Sequence, residues 1–209
     1  MLDRQSLATF RPLVAFDFDG TLTCRDSFLA FLAWRAGARR YAAGLARLLP
    51  AAARFLSDSD RSRLKAACVK EFLAGTPLTQ LEAEAQGFAT ERAPSLLRPD
   101  ALAVWRRWQG RSARLVIVTA SPEPLVAPFA RGLGAERLIG TRLAVDPEGR
   151  LTGALVGPNC RGPEKARRLR EAFGEAVRLE AAYGDSAGDT EMLALAEEQG
   201  MKVFGGGGR

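Results

Sequence analysis

Histidine is absent from the 209 residues of this chain. Its absence excludes His-based catalytic triads, histidine-ligated zinc and histidine acid–base chemistry. Any catalysis must therefore use carboxylates, lysine, hydroxyl groups and metal ions. Cysteine is also scarce, since the chain has only Cys24, Cys68 and Cys160, with no C-x-x-C pair. So sparse and odd a set predicts a reducing compartment and no disulfide framework.

Long hydrophobic runs are missing as well. The most apolar helical stretch, Ala42 to Leu56, contains Arg47, Pro50 and Arg54. It is shorter than the roughly 20 apolar residues that span a bilayer, and no targeting segment is recognisable near the start of the chain. We therefore expect a cytoplasmic protein without stable membrane insertion. Shallow contact of this stretch with a membrane surface is a minority alternative.

Positive charge is in excess, with 30 Lys and Arg against 24 Asp and Glu, a net charge of +6. The basic residues are scattered along helical segments and form no long block, which favours a solvated surface over a nucleic-acid interface. We expect a small phosphorylated substrate and no nucleic-acid partner. The length suits a core domain with a small insertion, as a monomer or a homodimer.

The hydrophobic pattern predicts an α/β protein. Three short apolar runs, Pro12–Phe16, Leu115–Val118 and Leu179–Tyr183, are typical of buried parallel strands. From residue 96 onward strands and helices alternate, which predicts a Rossmann-like parallel sheet with right-handed crossovers. Residues 25–95 have a helical pattern throughout. We expect an α/β core formed by residues 1–24 and 96–209, and an all-helical cap domain formed by residues 25–95.

Some local features are predicted as well. Ser27 is expected to cap a first cap helix over Phe28–Trp34, with a separate helix over Tyr41–Leu56. Asp146-Pro-Glu-Gly149 lies between two apolar runs and predicts a hairpin. Near the end of the chain we expect a helix over Asp189–Gln199 and a last short strand over Met201–Phe204.

Polar residues follow each predicted strand. Asp17 follows the first strand, Thr119 the second and Asp185 the third. Ligands of open parallel sheets bind at the carboxyl ends of the strands. We therefore expect these residues to project into one crevice.

The first strand leads into Asp17-Phe-Asp-Gly-Thr-Leu-Thr23. A carboxylate can attack phosphorus as a covalent nucleophile, which we assign to Asp17. Asp19 is placed to act as general acid and then as general base. Gly20 permits backbone angles that turn amide N–H groups toward phosphate oxygens. The alternative for the segment alone is a strand ended by an Asx-type turn.

Two further segments predict a phosphate site. The hydroxyl of Thr119 and the amides around Ala120 lie at a strand-to-helix junction, although Thr119-Ala-Ser121 alone also fits an N-cap before Pro122. Lys165 lies near the start of a helix and can neutralise an attacking carboxylate and a phosphate. Taken alone, such a lysine is more often solvated.

The segment Tyr183-Gly-Asp-Ser-Ala-Gly-Asp189 predicts a Mg²⁺ site. Mg²⁺ takes oxygen ligands in near-octahedral geometry, usually one or two carboxylates plus water and phosphate. Asp185 is expected to be a direct ligand. Asp189 is expected either to be a ligand or to orient a ligating water. The alternative is an acidic cap on the last helix.

The four segments together, in this order, resemble the four motifs of the haloacid dehalogenase superfamily of phosphohydrolases, and the resemblance spans nearly the whole chain. It implies an aspartyl-phosphate intermediate. It also implies Mg²⁺ bound by the Asp17 carboxylate, the Asp19 backbone carbonyl and Asp185, with Asp189 in the metal group. The second acid, Asp19, favours a phosphatase over a dehalogenase.

The helical block resembles a C1-type cap of the phosphoserine phosphatase-like branch, subfamily IB. The resemblance places Asp26 where an acidic residue contacts a substrate amine, and leaves Arg61, Arg63 or Lys65 to meet a substrate carboxylate. Ser121 is a further candidate for substrate contact.

The resemblance is imperfect at motif two. Thr119-Ala-Ser121 replaces the usual Ser-Gly-Gly and is similar to a less defined set that includes a phosphatidylglycerophosphate phosphatase. A lipid phosphate therefore rivals phosphoserine as the substrate. A phosphotransferase and a non-catalytic, phospho-accepting signalling module are further alternatives.

Overall fold

The computed structural model describes residues 11–58 and 61–205, with side chains described outside residues 50–62. The strands are β1 Leu13–Phe16, β2 Arg114–Pro122, β3 Arg137–Thr141, β4 Leu143–Val145, β5 Leu151–Leu155, β6 Leu179–Gly184 and β7 Ala196–Met201. A five-stranded parallel sheet with the order β3-β2-β1-β6-β7 forms the centre, and β4 and β5 form a separate antiparallel hairpin. The helices are α1 Ser27–Asp58, α2 Arg61–Leu73, α3 Leu78–Leu96, α4 Pro99–Gly110, α5 Glu123–Leu133, α6 Pro163–Phe173 and α7 Thr190–Leu193.

Strand β1 lies at the middle of the sheet and positions the site. All four of its residues are buried, because alternate side chains pack into the hydrophobic layers on the two faces of the sheet. Phe16 pairs with Ile117 on one side and with Tyr183 on the other. The three predicted strands therefore end side by side, which confirms the parallel α/β fold.

The insertion after β1 is helical, as predicted, but its first two predicted helices form one element. Helix α1 bends at Gly37, whose φ of 71° and ψ of 163° lie outside the helical region. Just before the bend, Arg35 donates hydrogen bonds to Glu84 Oε2 (2.5 Å), to the Phe72 carbonyl (2.8 Å) and to Thr76 Oγ1 (3.1 Å). Arg35 thus ties α1 to α3 and to the end of α2.

The predicted N-cap of this insertion is shifted by one residue. The carboxylate of Asp26, rather than the hydroxyl of Ser27, accepts the N–H of Leu29 at 2.8 Å. Ser27 is fully buried and is the first residue of α1. Its N–H donates to Asp19 Oδ1 at 2.7 Å, so the start of α1 is bonded directly to the segment that follows β1.

The helix predicted over Asp189–Gln199 is much shorter in the structure, and the last strand, predicted over Met201–Phe204, begins earlier, at Ala196. Helix α7 covers only Thr190–Leu193, and residues 196–201 form β7 beside β6. The helix-forming sequence of this segment is overridden because its backbone completes the edge of the sheet. Gly200 allows the close approach, since a Cβ there would lie 2.3 Å from Tyr183 Cδ1.

The hairpin predicted around Asp146–Gly149 is confirmed. It packs against the helical insertion, because Arg150 forms an isolated bridge with Pro77 and a Cβ at Gly153 would lie 3.0 Å from the Lys70 backbone. Among the described residues, the helices are all too short or too polar to cross a membrane.

Candidate active site

A cavity of about 440 Å³ opens at the carboxyl ends of β1, β2 and β6 and extends to the first two helices of the insertion. Most of the predicted site residues line this cavity, as expected for residues at the carboxyl ends of neighbouring parallel strands. Those on its walls are Asp17, Asp19, Gly20, Asp26, Lys65, Thr119, Ala120, Lys165, Asp185 and Asp189. Arg63 is exposed and is not on these walls, Ser121 lies behind them, and the side chain of Arg61 is outside the described residues.

Lys165 is the centre of the buried polar network. Its Nζ donates to Asp17 Oδ1 (2.6 Å), to Asp189 Oδ1 (2.6 Å) and to the Val118 carbonyl (2.7 Å). An ammonium group has three donors, so all of them are used. The side chain is only 2% exposed, and its ammonium group lies between the carboxylate of Asp17, which follows β1, and that of Asp189, in a short helical turn after β6.

The charges in this network are not balanced. The pKa of Asp17 is raised to about 7, mainly by burial and in part by the carboxylates of Asp189 and Asp19, and Lys165 opposes the change. Burial would lower the pKa of Lys165, but Asp17 and Asp189 outweigh burial and raise it. Negative charge therefore exceeds the charge of the one lysine, a condition that a bound cation relieves.

Three carboxylates form a cluster suited to a hard cation. Asp17, Asp185 and Asp189 each offer one oxygen, and these oxygens lie within 4.8 Å of one another. Carboxylate oxygens are the donor type that Mg²⁺ prefers. The cluster also explains Gly20, which has a φ of 80°, because a Cβ there would lie 2.2 Å from Asp185 Oδ2. The residues present thus fit a divalent cation.

Asp189 and Asp185 differ in their surroundings. Asp189 Oδ2 accepts the N–H groups of Asp185 and Ser186 and the hydroxyl of Ser186, at 3.0–3.2 Å. Its Oδ1 accepts from Lys165. Because both oxygens are already engaged, Asp189 is better suited to orient a ligating water than to bind a metal ion directly. Asp185 is half-buried at the cavity wall beside Gly20.

The carboxylate of Asp19 is bonded to the start of α1 and to the end of β2. Its Oδ1 accepts the Ser27 N–H, and its Oδ2 accepts the Ser121 hydroxyl at 2.5 Å. The backbone from Phe18 to Thr23 forms a tight turn, which is closed by a 2.9 Å hydrogen bond from the Thr23 N–H to the Phe18 carbonyl.

The amide of Gly20, a predicted phosphate donor, is already engaged in this turn. Its N–H donates to Thr23 Oγ1 at 3.3 Å.

Thr119, Ala120 and Ser121 continue β2 rather than cap α5. Strand β2 extends to Pro122, which is itself the residue that precedes α5. Thr119 Oγ1 accepts the Ser121 N–H at 3.0 Å. The carbonyl of Ala120 accepts Lys65 Nζ and Thr141 Oγ1, both at 2.8 Å. The N-cap alternative for this segment is therefore excluded.

The part of the cavity wall that comes from the helical insertion, called here the cap-side wall, carries one charge of each sign. Asp26 caps α1 and also lines the cavity. Lys65 is half-buried, with Nζ bonded to the Ala120 carbonyl and 5.6 Å from the centre of the Phe28 ring. Burial lowers the pKa of Lys65, and Asp19 and Asp26 oppose that shift. Of the two basic residues expected near a substrate carboxylate whose side chains the structure describes, Lys65 lines the cavity and Arg63 does not.

The sequence did not single out every residue on the cavity walls. Asn159 and Arg161 come from the loop before α6, and Phe28 and Cys68 come from the insertion. Asn159 Oδ1 accepts the Thr141 hydroxyl at 2.7 Å, and Arg161 donates to Ser186 Oγ at 3.3 Å. Their only sequence signal is proximity along the chain to Lys165, Asp26 or Lys65.

Comparison with known proteins agrees with this geometry. Residues 14–194 match the family described as haloacid dehalogenase-like hydrolase. The chain is 60% identical to the protein CicA of Caulobacter vibrioides over 93% of this chain and 87% of that protein. It is 32% identical to a phosphoserine phosphatase of Halobacterium salinarum, over 88% of this chain and 82% of the relative.

A solved structure of a Bordetella pertussis protein of unknown function has a similar fold. Its TM-score is 0.77 at 24% identity, with 91% of this chain and 89% of that chain covered. The chain belongs to the haloacid dehalogenase-like hydrolases. It is an enzyme of this family, and the resemblance to phosphoserine phosphatases that its motifs predict is confirmed.

Proposed function

We propose that this chain is a Mg²⁺-dependent phosphatase that hydrolyses a small phosphomonoester through a phosphorylated Asp17. The observation that carries the proposal is the convergence of Asp17, Asp19, Lys165 and Asp185 on one cavity. Two carboxylates, Asp17 after β1 and Asp189 after β6, both bond to the buried ammonium group of Lys165. Such an arrangement suits a dianionic substrate whose charge is neutralised by protein and metal together.

The chemistry assigned to these residues has two steps. An oxygen of Asp17 bonds to phosphorus, the ester P–O bond breaks, and Asp19 gives its proton to the departing alcohol. A water then attacks the aspartyl phosphate, Asp19 takes one of its protons, and inorganic phosphate leaves with Asp17 restored. Lys165 stabilises the phosphoryl oxygens through its charge, since its three donors are already engaged, and the Thr119 hydroxyl and the Ala120 N–H donate to them. The Gly20 N–H joins them by releasing Thr23 Oγ1.

The carboxylates of Asp17 and Asp185 and the backbone carbonyl of Asp19 are proposed to hold the metal ion, with Asp189 orienting its water. When bound, Mg²⁺ supplies positive charge that offsets the repulsion between the attacking carboxylate and the phosphate. The excess of buried negative charge around Asp17 supports this assignment.

The cap-side wall supports a small zwitterionic leaving group such as that of phosphoserine. Asp26 is proposed to meet an ammonium group, and Lys65 a carboxylate. These two side chains line the same cavity as Asp17. The name of the Halobacterium salinarum relative is in line with this assignment.

A lipid phosphate is the second candidate substrate, and one observation favours it. The wall that carries Asp26 and Lys65 also carries Phe28, Leu29 and Leu64, and Leu29 is 40% exposed. An apolar rim beside the leaving-group position suits a glycerolipid as well as a small amino acid.

Residues 25–95 are proposed to act as a cap domain over a core formed by residues 1–24 and 96–209. Opening of the cap would admit substrate, and closure would exclude water during phosphoryl transfer. The placement of Phe28 and Lys65 on the cavity wall supports this division.

The experiment is a panel of phosphomonoesters with purified protein, with and without Mg²⁺. The panel includes phosphoserine, sugar phosphates, nucleotides and lysolipid phosphates. Release of inorganic phosphate separates hydrolysis from transfer between sugar positions, and repeated turnover of an aryl phosphate excludes a signalling module that only stores phosphate. Asp17→Asn is expected to abolish turnover with an unchanged circular dichroism spectrum. Substantial residual activity in that variant would remove the mechanism.

A further inference from the structure

Ser121 makes a contact that none of the roles above uses. Its hydroxyl donates to Asp19 Oδ2 at 2.5 Å across 102 positions of sequence. The residue is fully buried and is not on the cavity walls. The sequence predicted that Ser121 contacts substrate. Its buried hydroxyl is instead bonded to Asp19, the proposed general acid, and does not line the cavity.

The backbone that carries this hydroxyl is held from several sides. The Ser121 N–H is bonded to Thr119 Oγ1, and Pro122 is in register with Thr141 on β3. A Cβ at Gly140 would lie 3.0 Å from the Ser121 carbonyl oxygen, so β3 approaches here as closely as a glycine allows. A hydroxyl on a fixed backbone can restrict the rotamer of its partner.

Asp19 needs such a restriction, because it follows the strand by three residues and lies in a tight turn. Its two oxygens each accept one hydrogen bond, from the Ser27 N–H and from Ser121. Each carboxyl oxygen keeps a second lone pair, and one of these can carry the proton that passes to the leaving group. The two bonds fix the direction in which that proton points.

We propose that Ser121 is a positioning residue that aims the Asp19 carboxyl group at the oxygen of the leaving group. The proposal rests on the proposed phosphatase function. Proton transfer matters most when the departing oxygen is strongly basic, as in an alkyl phosphate. It matters little for p-nitrophenyl phosphate, whose phenolate leaves without a proton. Ser121 therefore contributes mainly to the cleavage of alkyl esters, whose leaving oxygen needs the proton from Asp19.

The test is the dependence of kcat/KM on leaving-group basicity, since kcat/KM covers the steps up to cleavage of the ester bond. Wild type and Ser121→Ala are compared on a series of aryl phosphates of graded basicity and on the best alkyl phosphate of the panel. We expect Ser121→Ala to lose about 10- to 100-fold on the alkyl phosphate. On p-nitrophenyl phosphate we expect a loss of no more than about threefold, so the slope against basicity becomes steeper.

Two further variants complete the design. Ser121→Thr keeps a hydroxyl and is expected to restore a slope close to that of wild type. Ser95→Ala, at an exposed position of α3, is the matched control and is expected to behave as wild type. Partial misfolding lowers all rates by one factor and leaves the slope unchanged, so the slope reports positioning alone.

A slope in Ser121→Ala equal to that of wild type would overturn the proposal while leaving the phosphatase function in place. If wild type itself releases no phosphate from any ester, the proposed function fails instead.

Discussion

Lys165 determines the charge balance of the site at the scale of single residues. It is bonded to Asp17 and Asp189 at 2.6 Å each and is nearly inaccessible to water. Removing one partner of a buried ion pair leaves an uncompensated charge, which costs far more than an exposed pair contributes. Here the loss of one lysine would leave two carboxylates facing each other.

Lys165→Met is therefore expected to destabilise the metal-free protein by about 3 kcal/mol or more. It should also lower kcat by about 10²- to 10³-fold, because a charge that we propose stabilises the phosphoryl oxygens is lost. Urea unfolding and steady-state kinetics measure the two effects. Lys70→Met, at an exposed position of α2, is the control and should change neither quantity appreciably. Equal stability of the Lys165→Met variant and wild type would contradict the view that this lysine holds the two aspartates together.

Gly20 is the second residue whose role is local and geometric. Its φ of 80° is costly for any other residue, and a Cβ would overlap the carboxylate of Asp185. Gly20→Ala is expected to displace Asp185 and to weaken Mg²⁺ binding at least tenfold, comparable to the loss of a group that orients a metal ligand. Isothermal titration with Mg²⁺ checks this, with Gly132→Ala as control because its Cβ would meet open space. Unchanged affinity in Gly20→Ala would place Asp185 outside the metal site.

At the scale of elements, the bend in α1 at Gly37 decides the direction of the long helix. A Cβ at this position meets nothing within 4 Å, so only the positive φ opposes a side chain. Gly37→Ala should therefore cost about 1 kcal/mol in unfolding free energy, from backbone strain alone. Gly110→Ala in α4 also meets open space but has no positive φ, and should be neutral or slightly stabilising. Chemical denaturation of both variants separates strain from packing, and equal effects would show that strain at Gly37 is unimportant.

The sequence predicted elements well where one local signal dominated. Lys165 lies near the start of a helix as expected, because Pro163 and Gly174 mark the two ends of α6. The segment after Asp189 was mispredicted because Ala196–Met201 pairs with β6, a contact that no local pattern records. The convergence of Asp17, Thr119 and Asp185 followed from the rule on strand ends. The bond from Ser121 to Asp19 could not be predicted, since it depends on how far β2 continues past the end of its pairing with β1.

At the scale of the whole molecule, folding brings together a site in which acidic side chains outnumber basic ones. Asp17 has a pKa of about 7 in the folded protein against 3.8 ordinarily, first because it is buried and then because Asp189 and Asp19 are near. The folded state thus retains a proton that the unfolded state releases. The contribution of this group to stability is fully present below about pH 4, and it is lost as the pH rises from about 4 to about 7.

A bound divalent cation reverses this dependence, because it binds the deprotonated carboxylate. Saturating Mg²⁺ is therefore expected to raise the melting temperature more at pH 8 than at pH 6, where protons compete with the metal ion. Below the pKa of Asp17 the affinity for Mg²⁺ should fall by up to about tenfold per pH unit. Calorimetric melting with and without Mg²⁺ at both pH values measures this. Asp17→Asn, which cannot titrate, should show a small shift that is the same at both pH values. A shift in wild type that is independent of pH would mean that Asp17 is ionised throughout this range, and that the buried charge is balanced without metal.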